Sequence, residues 1–107
     1  MSMANPHRGE VELVIDGEAR ILRLTLGALA ALEARLETGS LIELAERFET
    51  GRIGAGELMA LLSAGLSGGG AAVDEADLAC AEIEGGAVAA MQAGMELLGR
   101  AFQPLEG

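Results

Sequence analysis

The sequence predicts an α+β fold that is mostly α-helical, with an N-terminal β-hairpin followed by about five short helices. Two runs of β-branched and aliphatic residues flank Asp16-Gly17-Glu18, and Asp-Gly is a strong hairpin signal because glycine adopts positive φ without steric cost. Beyond residue 24, apolar residues recur at spacings of three and four, the period of an α-helix. A chain of 107 residues that is 50% hydrophobic is expected to form one domain around one core.

The hairpin is expected over residues 11–24, with strands at 11–15 and 19–24. Two registers are compatible with the sequence. A three-residue loop places Leu13 opposite Ile21, whereas a two-residue loop places it opposite Arg20. We expect the three-residue loop, because it pairs an apolar side chain with an apolar side chain on one face.

The first two predicted helices, 26–37 and 41–50, have clear end signals. Thr25 is a candidate N-cap, and Ser40 with Glu43 spells a capping box. Gly39 ends the first helix, and Gly51 is well placed to end the second in the left-handed conformation. The stripes expected to be buried are Leu29, Leu32 and Leu36 on the first helix, and Leu41, Leu44, Ala45 and Phe48 on the second.

Three further helices are predicted at 55–66, 75–84 and 87–102. The third carries Leu58, Leu61, Leu62 and Leu66. The tract 67–70 after it is expected to be a mobile loop, because consecutive glycines do not favour any regular element. Asp74 is the candidate N-cap of the fourth helix, with Val73 and Leu78 as a hydrophobic staple. Gly85-Gly86 separates the fourth helix from the fifth, and Pro104 ends the fifth.

The last helix has an apolar set at spacings of three and four, which is a 3.5-residue repeat over two heptads. Its members are Val88, Met91, Met95, Leu98 and Phe102. We expect this seam to face another helix. Filling the protein's own core is the favoured interpretation, and a surface for another protein's helix is the alternative, because flexible methionines suit surfaces that re-pack against partners.

We expect a single domain over residues 9–103, a flexible lead-in at 1–8 and a short tail at 104–107. The start of the sequence has no apolar run typical of a signal peptide, and no stretch reaches the roughly 18 apolar residues that span a bilayer. We therefore expect a soluble, cytoplasmic protein that does not enter membranes.

Residues that carry chemistry are few. The one histidine, His7, lies in the lead-in, and the one cysteine, Cys80, lies in a predicted helix, where we expect a buried, inert thiol. Metal binding needs several ligands, and nucleophilic catalysis needs a base beside the nucleophile. Ser40 is better explained as a cap and Ser63 as a helix-surface hydroxyl. The sequence predicts no enzyme, no metal and no cofactor.

The net charge and the low aromatic content exclude some classes of binding partner. The net charge is −10, and Phe48 and Phe102 are the only aromatic residues. Nucleic-acid binding relies on cations that displace counterions and on aromatic rings that stack on bases. Nucleic acid and anionic membrane are therefore not expected as partners, which leaves an interaction protein.

The succession of short stretches resembles a known family over roughly residues 9–103. The stretches are Gly9-Glu10-Val11, Asp16-Gly17, Leu22-Arg23-Leu24-Thr25-Leu26-Gly27-Ala28-Leu29, Leu32-Glu33, Leu44-Ala45-Glu46-Arg47-Phe48, Ala64-Gly65-Leu66, Glu84-Gly85-Gly86 and Leu97-Leu98-Gly99-Arg100-Ala101-Phe102. In this order they look like the small tail protein encoded between the tail tube and tape-measure genes of gene transfer agents and related prophages.

The resemblance implies a tail assembly chaperone that binds the tape-measure protein and the tail tube protein during assembly. A minor tail tube subunit retained in the particle is the alternative, and a small helix-turn-helix regulator is a third candidate that the charge opposes. We also expect self-association or partner addition at an open hairpin edge, since an isolated two-stranded ribbon is marginal in water.

Overall fold

The computed structural model describes residues 10–36, 40–70 and 75–102. It confirms the predicted fold class, a two-stranded antiparallel hairpin followed by five helices. The elements are β1 (Val11–Ile15), β2 (Glu18–Leu22), α1 (Leu26–Arg35), α2 (Leu41–Thr50), α3 (Ala55–Gly68), α4 (Glu75–Cys80) and α5 (Gly86–Phe102). The predicted lead-in, the predicted tail and the predictions at Gly39, Val73, Asp74 and Pro104 lie outside the described residues.

The predicted hairpin register is wrong, because Leu13 pairs with Arg20 and not with Ile21. Asp16 and Gly17 both have positive φ, 52° and 79°, as a two-residue type I′ turn requires, and this turn matches the twist of the strands. Leu13 does not need an apolar partner on β2, because it lies in the buried cluster that also contains side chains of α3, α4 and α5.

α4 ends earlier than predicted because the segment after it pairs with the outer edge of β1. The N–H of Asp16 donates to the carbonyl of Glu82 at 2.7 Å, and the N–H of Glu84 donates to the carbonyl of Val14 at 3.0 Å. The carboxylate of Asp16 accepts the N–H of Glu82 at 2.8 Å. Residues predicted to extend a helix to position 84 instead cover half of a strand edge.

The glycine tract after α3 is not the loop that the sequence predicts. α3 continues through Gly68, and the tract packs against the outer edge of β2. A Cβ on Gly68 would lie 1.9 Å from the carbonyl oxygen of Arg23, and one on Gly69 would lie 1.9 Å from that of Ile21. The N–H of Arg23 also donates to the carbonyl of Gly65 at 2.9 Å. Gly68 and Gly69 are therefore required for close approach, and the hairpin edge expected to be open is covered at Ile21–Arg23.

The other helix ends follow local chemistry. The hydroxyl of Thr25 accepts the N–H of Ala28 at 3.1 Å, and the hydroxyl of Ser40 accepts the N–H of Glu43 at 3.4 Å, so both predicted N-caps are confirmed. Gly51 ends α2 with φ 71°. Stop signals on both sides explain why the predicted bounds of α2 match the observed ones.

The core forms two clusters on either side of α3. One cluster joins the hairpin to α3, α4 and α5, and it includes Leu22 and Leu66, both fully buried. The other joins α1, α2, α3 and α5 around Leu44 and Leu61. α3 is the central helix, since it contacts α1, β2, α4 and α5. This arrangement leaves one side of α5 facing solvent.

Candidate interaction surface

The apolar seam predicted on α5 does not form one buried face. Leu98 is buried and Met91 is partly buried against the second cluster, but Val88 is 68% exposed and Met95 is 51% exposed. The side chain of Phe102 lies outside the described part of the chain. The seam prediction is therefore wrong for Val88 and Met95 as core residues, and these two are the ones available to a partner.

The buried face of α5 instead combines small residues with Leu97 and Leu98. Ala90, Ala93 and Leu97 are buried, and Gly94 faces α2, where an added Cβ would lie 2.9 Å from the ring of Phe48. Small side chains let two helices approach closely, which gives extensive packing without large apolar residues. Sequence reasoning missed this face because it followed the largest apolar side chains, although alanine and glycine at helical spacing were visible in the sequence.

An acidic groove lies between β1 and α5, beside the exposed stripe. It has a volume of about 230 Å³, and its lining includes the carboxylate residues Glu12, Glu84 and Glu96 together with Gln92. Arg100 lies near one end: its guanidinium is 3.9 Å from the Glu96 carboxylate and donates to the backbone carbonyl of Glu10. The groove therefore contains more negative than positive side chains.

A second cavity, of about 310 Å³, lies where the C-terminal ends of α1 and α2 meet the start of α3. Two arginines, Arg35 and Arg47, are among its lining residues. The carboxylate of Glu57 accepts from Arg47 at 2.8 Å and from the N–H of Gly54 at 3.2 Å. The Glu57 carboxylate already supplies the negative charge that is favourable at the start of α3. The cavity therefore lacks the features of a site for an external anion.

Two single-residue predictions are wrong. Cys80 is exposed, because Leu78 is the buried side chain of the short helix α4 and Cys80 ends that helix on another side. Ser63 is buried, because α3 is covered by other elements on several sides. Ser40 caps α2 as predicted.

The part of the chain that the structure describes contains neither a cluster of metal-ligating side chains nor a membrane-spanning helix. No group of three or more histidine, cysteine or carboxylate side chains there could hold a metal ion. No helix in that part has the length and apolar content needed to cross a bilayer.

The chain matches a known protein family over most of its length. The model of a family described as "Phage tail tube protein, GTA-gp10" matches residues 8–104. Comparison with curated proteins and with solved structures gave no match. Because the family match covers nearly the whole chain, this protein belongs to the phage tail tube protein GTA-gp10 family.

Proposed function

We propose that the protein acts in building a phage-type tail, as an assembly chaperone that binds the tape-measure protein and passes it to tail tube subunits. Three features support this role: the family is one of tail proteins, the net charge is −10, and α5 exposes Val88 and Met95. High net charge keeps a complex dispersed in solution. Exposed apolar side chains can bind the apolar surface of an unassembled partner.

The observation that carries the proposal is the covering of the hairpin edges. A tube subunit must contribute β-strand to a continuous ring, whereas the described residues contain one two-stranded sheet. The 82–84 segment covers one edge at Val14–Asp16, and the end of α3 covers the other at Ile21–Arg23. The strand edge that remains for pairing with a neighbouring subunit is shorter than the hairpin itself.

The second candidate is a subunit of the tail tube that stays in the particle. The family's description names a tail tube protein directly, and this favours the second candidate over the chaperone. If the protein is a tube subunit, the purified chain should polymerise into rings or tubes at high concentration. We expect it to remain a small species in sedimentation velocity experiments and to form no tubes in electron micrographs.

Co-expression tests the chaperone directly. The tape-measure protein of the same tail system is produced alone and with the chain, and its soluble fraction is compared in the two cultures. We expect the tape-measure protein to aggregate alone and to co-purify with the chain when both are present. An equally aggregated tape-measure protein in both cultures would contradict the proposal.

The proposed role involves no catalysis, no cofactor and no nucleic acid, and it is carried out in the cytoplasm, where tail proteins assemble. A tail tube family is not normally one of enzymes. The same proposal includes binding to tail tube subunits and the formation of a homo-oligomer. Cross-linking during co-expression would detect both kinds of contact.

A further inference from the structure

We propose that the exposed face of α5 docks an amphipathic helix whose apolar stripe is flanked by lysine or arginine. This deepens the proposed function, and it rests on that function for the identity of the partner as a tail protein. Two features support it: an apolar stripe that faces solvent, and a charge pattern beside the stripe that selects the partner.

The apolar stripe runs along one side of α5. Val88 and Met95 are seven residues apart, about 10.5 Å along the helix axis at 1.5 Å per residue. Met91 lies between them and is partly buried against the second core cluster. Gly99 continues the exposed side, and an added Cβ there would meet nothing within 4 Å. A helix that packs on a groove uses anchors at this spacing, so the stripe matches one face of a partner helix.

The charge pattern lies along one flank of this stripe. Gln92 and Glu96 follow the stripe on the surface of α5 and also line the acidic groove, whose opposite wall carries Glu12. Glu84 lines the same groove. A partner that brings positive side chains to this flank gains favourable electrostatic interactions, whereas one that brings carboxylates is repelled. The occupant is therefore a basic amphipathic helix.

A second copy of this chain is disfavoured as the occupant. Each copy has a net charge of −10, and a symmetric dimer places the same patch against itself. If the stripes of two copies packed together, Glu96 and the acidic groove of one copy would approach the acidic groove of the other. Like charges brought together in this way oppose association.

Two synthetic peptides test the proposal with the full-length protein. Both carry leucines at helical spacings, and they differ only in the flanking residues, which are lysines in one and glutamates in the other. Fluorescence anisotropy gives the Kd of each peptide. We expect the lysine peptide to bind at least about tenfold more tightly, and its advantage to shrink in about 0.3 M salt because salt screens surface charges. Equal binding of the two peptides would overturn the proposal.

Variants locate the site, because a basic peptide could bind anywhere on an acidic protein. Met95→Glu is expected to weaken the lysine peptide about tenfold, whereas Ile42→Glu, at another exposed apolar side chain that is 67% accessible, should change the Kd less than about twofold. The pair Glu12→Gln and Glu84→Gln should weaken binding several-fold. The matched pair Glu46→Gln and Glu49→Gln, on α2, removes the same charge with little effect. Equal losses at the test and control sites would overturn the proposal.

Two further measurements separate the possible failures. Amide chemical-shift changes in the unsubstituted protein should concentrate on α5 and β1 when the lysine peptide is added, and changes confined to α1 or α2 would overturn the docking surface. If Met95→Glu loses the peptide and still captures the tape-measure protein, the docking proposal is wrong while the proposed function stands. If the unsubstituted chain fails to capture the tape-measure protein, the proposed function is wrong, and the peptides still test the surface.

Discussion

The close approach of α3 to β2 makes Gly68→Ala a severe test of the fold. The added Cβ would lie 1.9 Å from the carbonyl oxygen of Arg23, where ordinary contact begins at 3.4 Å. The clashing atom belongs to the backbone, so no side-chain rotation relieves the overlap. Either the end of α3 or the end of β2 must move by about 1.5 Å, the difference between these two distances.

That movement breaks specific interactions. The hydrogen bond from the N–H of Arg23 to the carbonyl of Gly65 is 2.9 Å long, and losing such a bond costs about 1 kcal/mol. Leu22 and Leu66 are fully buried beside it, and overpacking in a core costs about 1–3 kcal/mol. Alanine offsets up to about 1 kcal/mol of this by its helix propensity. We expect a net loss of about 2 kcal/mol, or about 8–16 °C in Tm for a domain of this size.

Urea denaturation followed by circular dichroism measures the loss. Gly56→Ala is the matched control, because Gly56 lies in the first turn of the same helix and an added Cβ there meets nothing within 4 Å. The control should be neutral or slightly stabilising. If Gly68→Ala is as stable as Gly56→Ala, the packing of α3 against β2 described above is wrong.

Three further predictions concern single residues. Asp16→Ala should cost about 1–3 kcal/mol of unfolding free energy, because it removes the carboxylate that accepts from Glu82 and places alanine at a positive φ. Asp16→Asn keeps an acceptor oxygen and tolerates that φ, so it should cost clearly less in the same urea titration. Equal costs for the two variants would contradict this prediction. Ser40→Ala should cost about 1 kcal/mol through loss of the α2 cap, and a change below about 0.3 kcal/mol would show that the cap contributes little. Cys80, which is exposed, should react with a thiol reagent in the native state as fast as in the unfolded chain; labelling that waits for global unfolding would contradict its placement.

Local signals in the sequence were sufficient for the fold class and for most helix ends. Asp16-Gly17 predicts the hairpin, and Ser40 with Gly51 defines both ends of α2, because caps and turns depend on neighbouring residues. The predicted hairpin register was wrong because it gave apolar cross-strand pairing more weight than turn geometry. Leu13 takes its apolar partners from the helices, which strand pairing alone could not show.

Long-range contacts account for the remaining differences. The helix predicted through residue 84 stops at Cys80 because Glu82 and Glu84 bond to β1, which lies far away in the sequence. The sequence of the 67–70 tract is typical of a loop, and only the packing of β2 against it explains its conformation. In both cases the decisive partner belongs to another element, so local propensity is overridden by tertiary packing.

Whether the α5 stripe binds a partner stays a prediction, but the structure shows which of its side chains are exposed. Helical spacing placed Val88 and Met95 on one stripe, which is correct, but it grouped them with Leu98, which is buried. A stripe defined by large apolar residues cannot distinguish core from surface when alanine and glycine form part of the actual packing face. Gly94, which lies against Phe48, belongs to this packing face.

Quantitative mass spectrometry of purified particles tests the central claim most directly. Copy numbers of this chain, the tape-measure protein and the tail tube protein are compared in finished particles and in cell lysate. The account predicts that the chain co-purifies with the tape-measure protein from lysate and is depleted from particles far below the copy number of the tube. A chain retained in particles in ring stoichiometry with the tube protein would contradict the chaperone and establish the tube subunit in its place.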